Sequence, residues 1–491
     1  MNEERKRRRS ERIVEAIAGR LGAGKSAAKA GRKVFPNHFS FLWGEIALYS
    51  FVVLVATGIY LTFFFEPSQE RVIYNGSYEP MRGQDVSAAY DSVMRISFDV
   101  RAGLLVRQVH HWAALVFVAA IALHMFRVFF TGAHRRPREI NWVIGALLLV
   151  LALAAGFSGY SLPDDLLSGS GLRITYSIVL SLPFAGEQLV NLLFGGEWPG
   201  TEIISRLYAV HVVLIPAAIV GLLTVHLIVL VRQKHTQFPG PGRTERNVVG
   251  LRVWPGFAMK SVGLFFLTAG ILTGLGALLH INTVWLYGPY QPSAATSFSQ
   301  PDWYIGFLEG SLRLFPPWET RIGRFVVNQL VYSGVVVPGV IFTALFLAPW
   351  IERRITGDRA EHHLLDRPRD APGRTATGGA GLALVTILFV GGGQDVIARM
   401  LDTPVGHVTT ALQLLALIGP PVTWIVTWHV CKALQQRPPP DRTERSVAIV
   451  RDPAGGYHTI AEAAPPTEAV DAELHAEGVA EAVTETAEVE A

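Results

Sequence analysis

Residues 104–130 read LLVRQVHHWAALVFVAAIALHMFRVFF, one apolar run of 27 residues. About 20 helical residues cross the ~30 Å hydrocarbon layer of a membrane, so this run is a spanning helix. Of the three imidazoles that interrupt it, His110 and His124 lie fourteen residues apart. At about 100° per residue, fourteen steps return to within about 40° of the starting direction, with a rise of roughly 21 Å. A second run, LYAVHVVLIPAAIVGLLTVHLIVLVR at 207–232, carries His211 and His226, fifteen apart. Its pair lies within about 60° on one face.

A lone histidine in lipid often does no more than bond a nearby carbonyl. Four of them at matched depth on two helices imply a ligand set, because each buried imidazole is costly. The two levels are too far apart for one tetrahedral zinc site. They suit two stacked haems, one between His110 and His211 and one between His124 and His226. Two axial imidazoles saturate each iron and leave no open position for oxygen, which favours electron transfer. Gly44 and Gly58 in the first apolar run are fourteen apart, as are Gly145 and Gly159 in the third. Glycine admits the close backbone approach that a flat macrocycle between four helices requires, although small residues also serve ordinary helix packing. Arg107 and Arg127 each lie three residues from a histidine. They are candidates for neutralising haem propionates, or plain interfacial arginines.

The whole chain fits this setting. Of its 491 residues, 50% are hydrophobic and only 17% charged, well below the ~25% charge of soluble domains. Eight apolar runs lie near 41–65, 104–130, 141–162, 207–232, 256–280, 325–350, 378–398 and 407–433, the sixth ending at Pro349-Trp350. The expected fold is an all-α membrane protein of about eight transmembrane helices, with a four-helix bundle enclosing two stacked b-type haems. Pro216 should kink the fourth helix and absorb its extra residue. Basic residues (Arg135, Arg136, Arg138, Arg232, Lys234, Arg353, Arg354, Lys432) gather in alternate loops. The positive-inside bias then puts both termini in the cytoplasm and the long segments 66–103, 163–206 and 281–324 outside.

Four regions follow: a basic N-terminal tail (1–37), a haem-binding domain (38–255), a C-terminal transmembrane domain (256–435) and a cytoplasmic tail (436–491). The N-terminus reads as a retained basic segment rather than a secretory signal, its first apolar run coming about thirty residues in. The stretch from about 452 onward, rich in Ala, Glu and Val, reads as disordered. The net charge of +3 gives no case for nucleic acid. Cys431, the sole cysteine, excludes an intrachain disulfide, a Cys-ligated cluster and covalent haem attachment within the chain.

Over roughly residues 35–435 the chain resembles cytochrome b of the cytochrome bc complexes. The matching segments are Arg107-Gln108-Val109-His110, His211 with Pro216 and His226, Gly159-Tyr160-Ser161-Leu162-Pro163, and Pro301-Asp302-Trp303-Tyr304. The undivided eight-span chain with its long tail is most similar to the actinobacterial menaquinol type. That resemblance implies a quinol–cytochrome c reductase of the bacterial plasma membrane. Quinol, in this type menaquinol, would be oxidised at the outer face. One electron would pass to a Rieske iron–sulfur subunit and the other through two non-covalent haems to an inner-face quinone, with proton translocation. Implied partners are the Rieske and cytochrome c subunits, a second copy of the complex and a terminal oxidase in a supercomplex.

The resemblance also assigns the outer site. It lies between the 163–206 loop and Pro301–Tyr304, with Asp302 in the place of the family's usual Glu as proton acceptor and Tyr304 as its hydrogen-bonding neighbour. As an unrelated segment, Pro301–Tyr304 would be a tight turn in an interfacial aromatic belt. Departures are visible too: the family's Trp after Gly-Tyr-x-Leu-Pro is Asp164, and its Lys-Asp pair before the fifth span is Lys260-Ser261. Candidates for the inner quinone site are therefore Lys260, Ser261 and His235. Two other classes compete, a di-haem anchor conducting electrons for a dehydrogenase and a haem-free transporter with histidine proton relays.

Overall fold

The computed structural model describes residues 31–294, 300–323 and 325–436, and the backbone of 446–451 and 457–462. Residues 1–30 of the expected basic tail and 463–491 of the expected disordered tail lie outside the described residues. The chain divides into two compact units, Met1–Cys431 and Lys432–Ala491.

Among the described residues, eight helices long and apolar enough to cross a membrane organise the first unit: Phe39–Thr62, Gly103–Phe130, Glu139–Tyr160, Ile203–Arg232, Val253–Leu278, Gln329–Thr356, Pro372–Gly392 and Val405–Gln435, the end of the last falling in the second unit. Spans one to four pack in sequence, one on two, two on three and three on four. Their shared interior is filled by Ala47, Phe51, Phe117, Ile121, Trp142, Ala146, Ala152, Ile215 and Ile219. Span five lies along spans one and two, span six against span three. Outward faces keep exposed Val, Leu, Ile and Phe, as lipid-facing helices must.

The long segments on one face are not bare loops. They hold helices Ala88–Phe98, Leu166–Leu180, Gly186–Phe194 and Gly306–Leu314, and a hairpin pairing Arg71–Ile73 with Asp85–Ser87. Helix Gly306–Leu314 packs closely on span seven through Gly310, where any side chain would overlap the Leu388 carbonyl. That docking fixes the Pro301–Tyr304 segment just before it. On the opposite face Val34–Phe35 pairs with Leu251–Arg252, tying the start of the chain to the entry of span five.

Three expectations change. Span six does not stop at Pro349-Trp350; it runs to Thr356 with Pro349 inside. A proline lacks the N–H that would bond the carbonyl four residues back. Here that carbonyl belongs to Leu345 and accepts from Trp142 Nε1 at 2.7 Å instead, so the helix continues. Span four absorbs its extra residue in a wide π turn at Val210–Leu214, immediately before Pro216, rather than through a proline kink alone. In the second unit, Ser446–Arg451 and Tyr457–Glu462 pair as antiparallel strands, the second of them within the stretch expected to be disordered. Their β-branched residues and the Asp-Pro-Ala-Gly-Gly between them are a hairpin signal that outweighs the acidic composition of the tail.

Candidate functional site

Each of the four histidines meets one of the four glycines on a neighbouring span. A Cβ built on Gly44 would lie 3.1 Å from His124, on Gly58 3.3 Å from His110, on Gly145 3.7 Å from His226 and on Gly159 2.5 Å from His211. The spacing match read from the sequence is therefore a set of four backbone seats for four imidazoles. His110 and His211 face each other across the bundle with ring centroids 6.2 Å apart and planes at 74°. One metal between them needs about 2 Å per metal–nitrogen bond plus about 1 Å from each nitrogen to its ring centre, a total near 6 Å.

Hydrogen bonds at Nδ1 fix which ring nitrogen is left for a metal. His211 Nδ1 donates to Ala155 O at 3.0 Å. His110 Nδ1 sits 2.9 Å from Thr57 Oγ1, whose own proton goes to Val53 O at 2.6 Å, so the imidazole is the donor. Both Nε2 lone pairs then point into the bundle. Arg107 and Arg127 lie at the two levels, and each keeps a buried Nε and Nη2 without a hydrogen-bond partner among the described residues. Arg127 rests over the Phe41 ring at 4.1 Å, and Arg107 Nη1 donates to Asn282 O at 3.2 Å. Buried guanidinium donors are left this way only where an acceptor completes them. These residues fit two haems: imidazoles for iron, arginines for propionates, glycines for space.

A second cluster lies at the long-loop face, above the His110 level. Asp302 is held from three sides: His111 Nε2 is 3.0 Å from both carboxylate oxygens, Tyr304 Oη donates to Oδ2 at 3.0 Å and Asn282 Nδ2 to Oδ1 at 3.4 Å. Burial, then the Asp302 charge, pushes the Tyr304 hydroxyl well above its usual value, so it remains a donor. Burial and the carboxylates of Asp165 and Asp302 also raise Tyr287. His111 and Asn282 were not read from the sequence as site residues, although the His110-His111 doublet was a signal. Span two also grips the loop beneath them. Gln108 exchanges two hydrogen bonds of 2.9 Å with the Ile281 backbone, and Trp112 Nε1 donates to Leu279 O at 2.8 Å.

Asp164 adopts a left-handed backbone (φ +52) and its carbonyl accepts from Tyr290 N at 2.9 Å. Its neighbour Asp165 caps helix Leu166–Leu180 through Ser168 N at 2.8 Å. Burial pushes the Asp164 carboxyl from 3.8 up to about 6, against a hydrogen bond from Ser87. The folded state thus binds this proton more tightly than the unfolded state does. Stability from this group is full below about pH 4, falls by about 3 kcal/mol as pH rises to about 6, and is flat above. Asp164→Asn should flatten that slope, measured by thermal unfolding of the detergent-purified protein between pH 4 and 7.

At the opposite face Lys260 Nζ donates to Asn37 Oδ1 at 2.7 Å. His235 lies against Phe35, ring centroids 4.0 Å apart, and burial with nearby Arg138 lowers it to about 4, leaving it neutral. Ser261 turns away from both and donates to Glu45 Oε2 at 2.6 Å. Tyr49 donates to the same oxygen at 3.1 Å and also touches Ser261 Oγ. Glu45 and Tyr49 are absent from the sequence reading, though an acid inside an apolar run was a visible signal.

Over residues 115–289 the chain matches the family model described as cytochrome b (N-terminal)/b6/petB. The cytochrome bc1 complex cytochrome b subunit of Streptomyces coelicolor is 47% identical over 427 residues, covering 87% of this chain and 78% of that one. Its counterpart in Mycobacterium tuberculosis is 49% identical over 455 residues, covering 91% and 82%. Among solved structures, a chain of a hyperthermophilic respiratory Complex III shares the fold, with a TM-score of 0.62 at 19% identity over 85% of this chain and all of that one.

Proposed function

This chain belongs to the family of cytochrome b subunits of the cytochrome bc1 complex, and from that premise we propose that it oxidises quinol at its long-loop face and reduces quinone at the opposite one. In this reading the long-loop face is external, both termini are cytoplasmic and the membrane is the bacterial plasma membrane. Quinol, of the menaquinol class, gives one electron to a Rieske iron–sulfur partner that serves a cytochrome c subunit. The other electron crosses the membrane. Bound between His110 and His211 and between His124 and His226, two b-type haems supply that one-electron conduction.

The chain's own groups do the proton work. Asp302 accepts a quinol hydroxyl proton, and His111, Tyr304 and Asn282 hold its carboxylate in one orientation. Asp302 passes that proton on to the outer water and protons are taken up inside, so turnover, with the electron crossing between the faces, builds a proton gradient. Quinone is reduced at the inner face, where Lys260, Ser261 and His235 are the proposed residues. Dimeric assembly and association with a terminal oxidase belong to the same proposal.

The observation carrying this reading is the seating of four histidines on four glycines, with one pair 6.2 Å apart. The Asp302 cluster favours a quinol-oxidising subunit over a di-haem anchor, which has no use for a held carboxylate at that face. The test is purification in mild detergent with haem quantification, redox titration and subunit identification. Two b-type haems per chain, a co-purifying iron–sulfur protein and quinol-dependent cytochrome c reduction are expected. Haems without quinol oxidation would favour the anchor, and no b-type band would remove both.

A further inference from the structure

We infer that Glu45 is the proton donor to quinone at the inner face, held for that task by Ser261 and Tyr49. The inference rests on the inner-site reading above and names the carboxyl that reading lacks.

Glu45 sits one turn inside span one, and a carboxylate at that depth needs a reason. A first-turn acid commonly serves the helix N-terminus, but this one reaches sideways to span five. Its Oε2 collects Ser261 Oγ at 2.6 Å and Tyr49 Oη at 3.1 Å, and the two hydroxyls touch each other. Among the described residues no basic side chain forms an ion pair with it. Lys260, adjacent to Ser261, spends its ammonium on Asn37 instead.

Position completes the case. Gly44 is the seat of His124, so the next residue stands beside the inner haem level while facing span five. A quinone reduced here must lie near that level and also meet an acid. Lys260, next to Ser261 in sequence, and Asn37, before the start of span one, are both exposed, so water reaches this end of spans one and five. The chain has serine at 261, where the resemblance led one to expect aspartate. The structure puts a glutamate from span one against that serine.

Quinone takes two electrons, supplied by quinol oxidation at the other face, and two protons. In each proton step the Glu45 Oε–H bond breaks and a quinone O–H bond forms. The carboxylate then regains a proton from cytoplasmic water.

The test uses the purified complex, reduced stoichiometrically without oxygen and mixed with a short-chain naphthoquinone. Haem reoxidation is followed by absorbance, in the wild-type and Asp302→Asn backgrounds, so that the outer site is excluded as the route. Glu45→Gln should slow reoxidation by on the order of a hundredfold with haem content unchanged. It should also remove a protonated-carboxyl band from the redox infrared difference spectrum. Glu45→Gln with Ser261→Asp, which returns a carboxyl to the same corner, should recover most of the rate. Ser261→Ala keeps the carboxyl and removes its shortest partner, so it should slow reoxidation severalfold and shift the band. Wild-type rates in Glu45→Gln, or an unshifted band with an unchanged rate in Ser261→Ala, overturn the inference. If the wild type itself is not reoxidised, the inner-site reading falls and Glu45 with it.

Discussion

His124→Ala is expected to yield a folded protein that holds one haem instead of two. His124 stands alone on its level of span two, seated on Gly44, and its Nδ1 makes no hydrogen bond among the described residues. Removing it leaves His226 to hold an iron by one bond in an apolar bundle. The other level should survive, because His110 and His211 are each fixed through Nδ1 by Thr57 and by Ala155 on neighbouring helices. The variant should show one b-type component in a redox titration and no electron transfer to the inner face. Two titrating haems in this protein would mean that the ligands are paired wrongly.

The second large effect belongs to Asp302→Asn. An amide keeps the shape of the carboxylate and most of its contacts with His111, Tyr304 and Asn282, but it cannot take a proton. General-base contributions of this kind are worth about 10²–10⁴ in rate, so quinol oxidation should fall by that order with both haems retained. Steady-state quinol–cytochrome c reduction and haem spectra on one preparation check this. Unchanged turnover would remove Asp302 from the proton path. In the proposed role the shorter aspartate side chain is reached by its partner rather than reaching out to it: His111 of span two meets both of its oxygens.

What could be read from the sequence was whatever repeats locally. Span lengths, the fourteen-residue histidine and glycine spacings, and the two ends of each long segment all follow from helix geometry and apolar run length. The proline at 349 misled because its consequence depends on Trp142, which lies 207 positions earlier and supplies the missing donor. His111 and Glu45 were missed for a similar reason. A histidine doublet and an acid inside an apolar run were local signals, but neither says what the residue touches, and each meets its partner about two hundred residues away, Asp302 or Ser261. The hairpin at 446–462 was hidden by reading the tail's composition over too wide a window.

The wide turn at Val210–Leu214 bears on how this chain is to be lined up with others. Inserting one residue into a regular helix rotates everything beyond it by about 100°, which would swing span four's second imidazole from about 40° on one side of the first to about 60° on the other. A π turn takes up one residue locally and leaves the remainder of the helix in phase. Span four therefore has a place where its length can drift while His211 and His226 keep their relation across the helix. An alignment of spans two and four, or of this chain with a relative whose histidines are fourteen apart, should open its gap between 210 and 214 and nowhere else in the span.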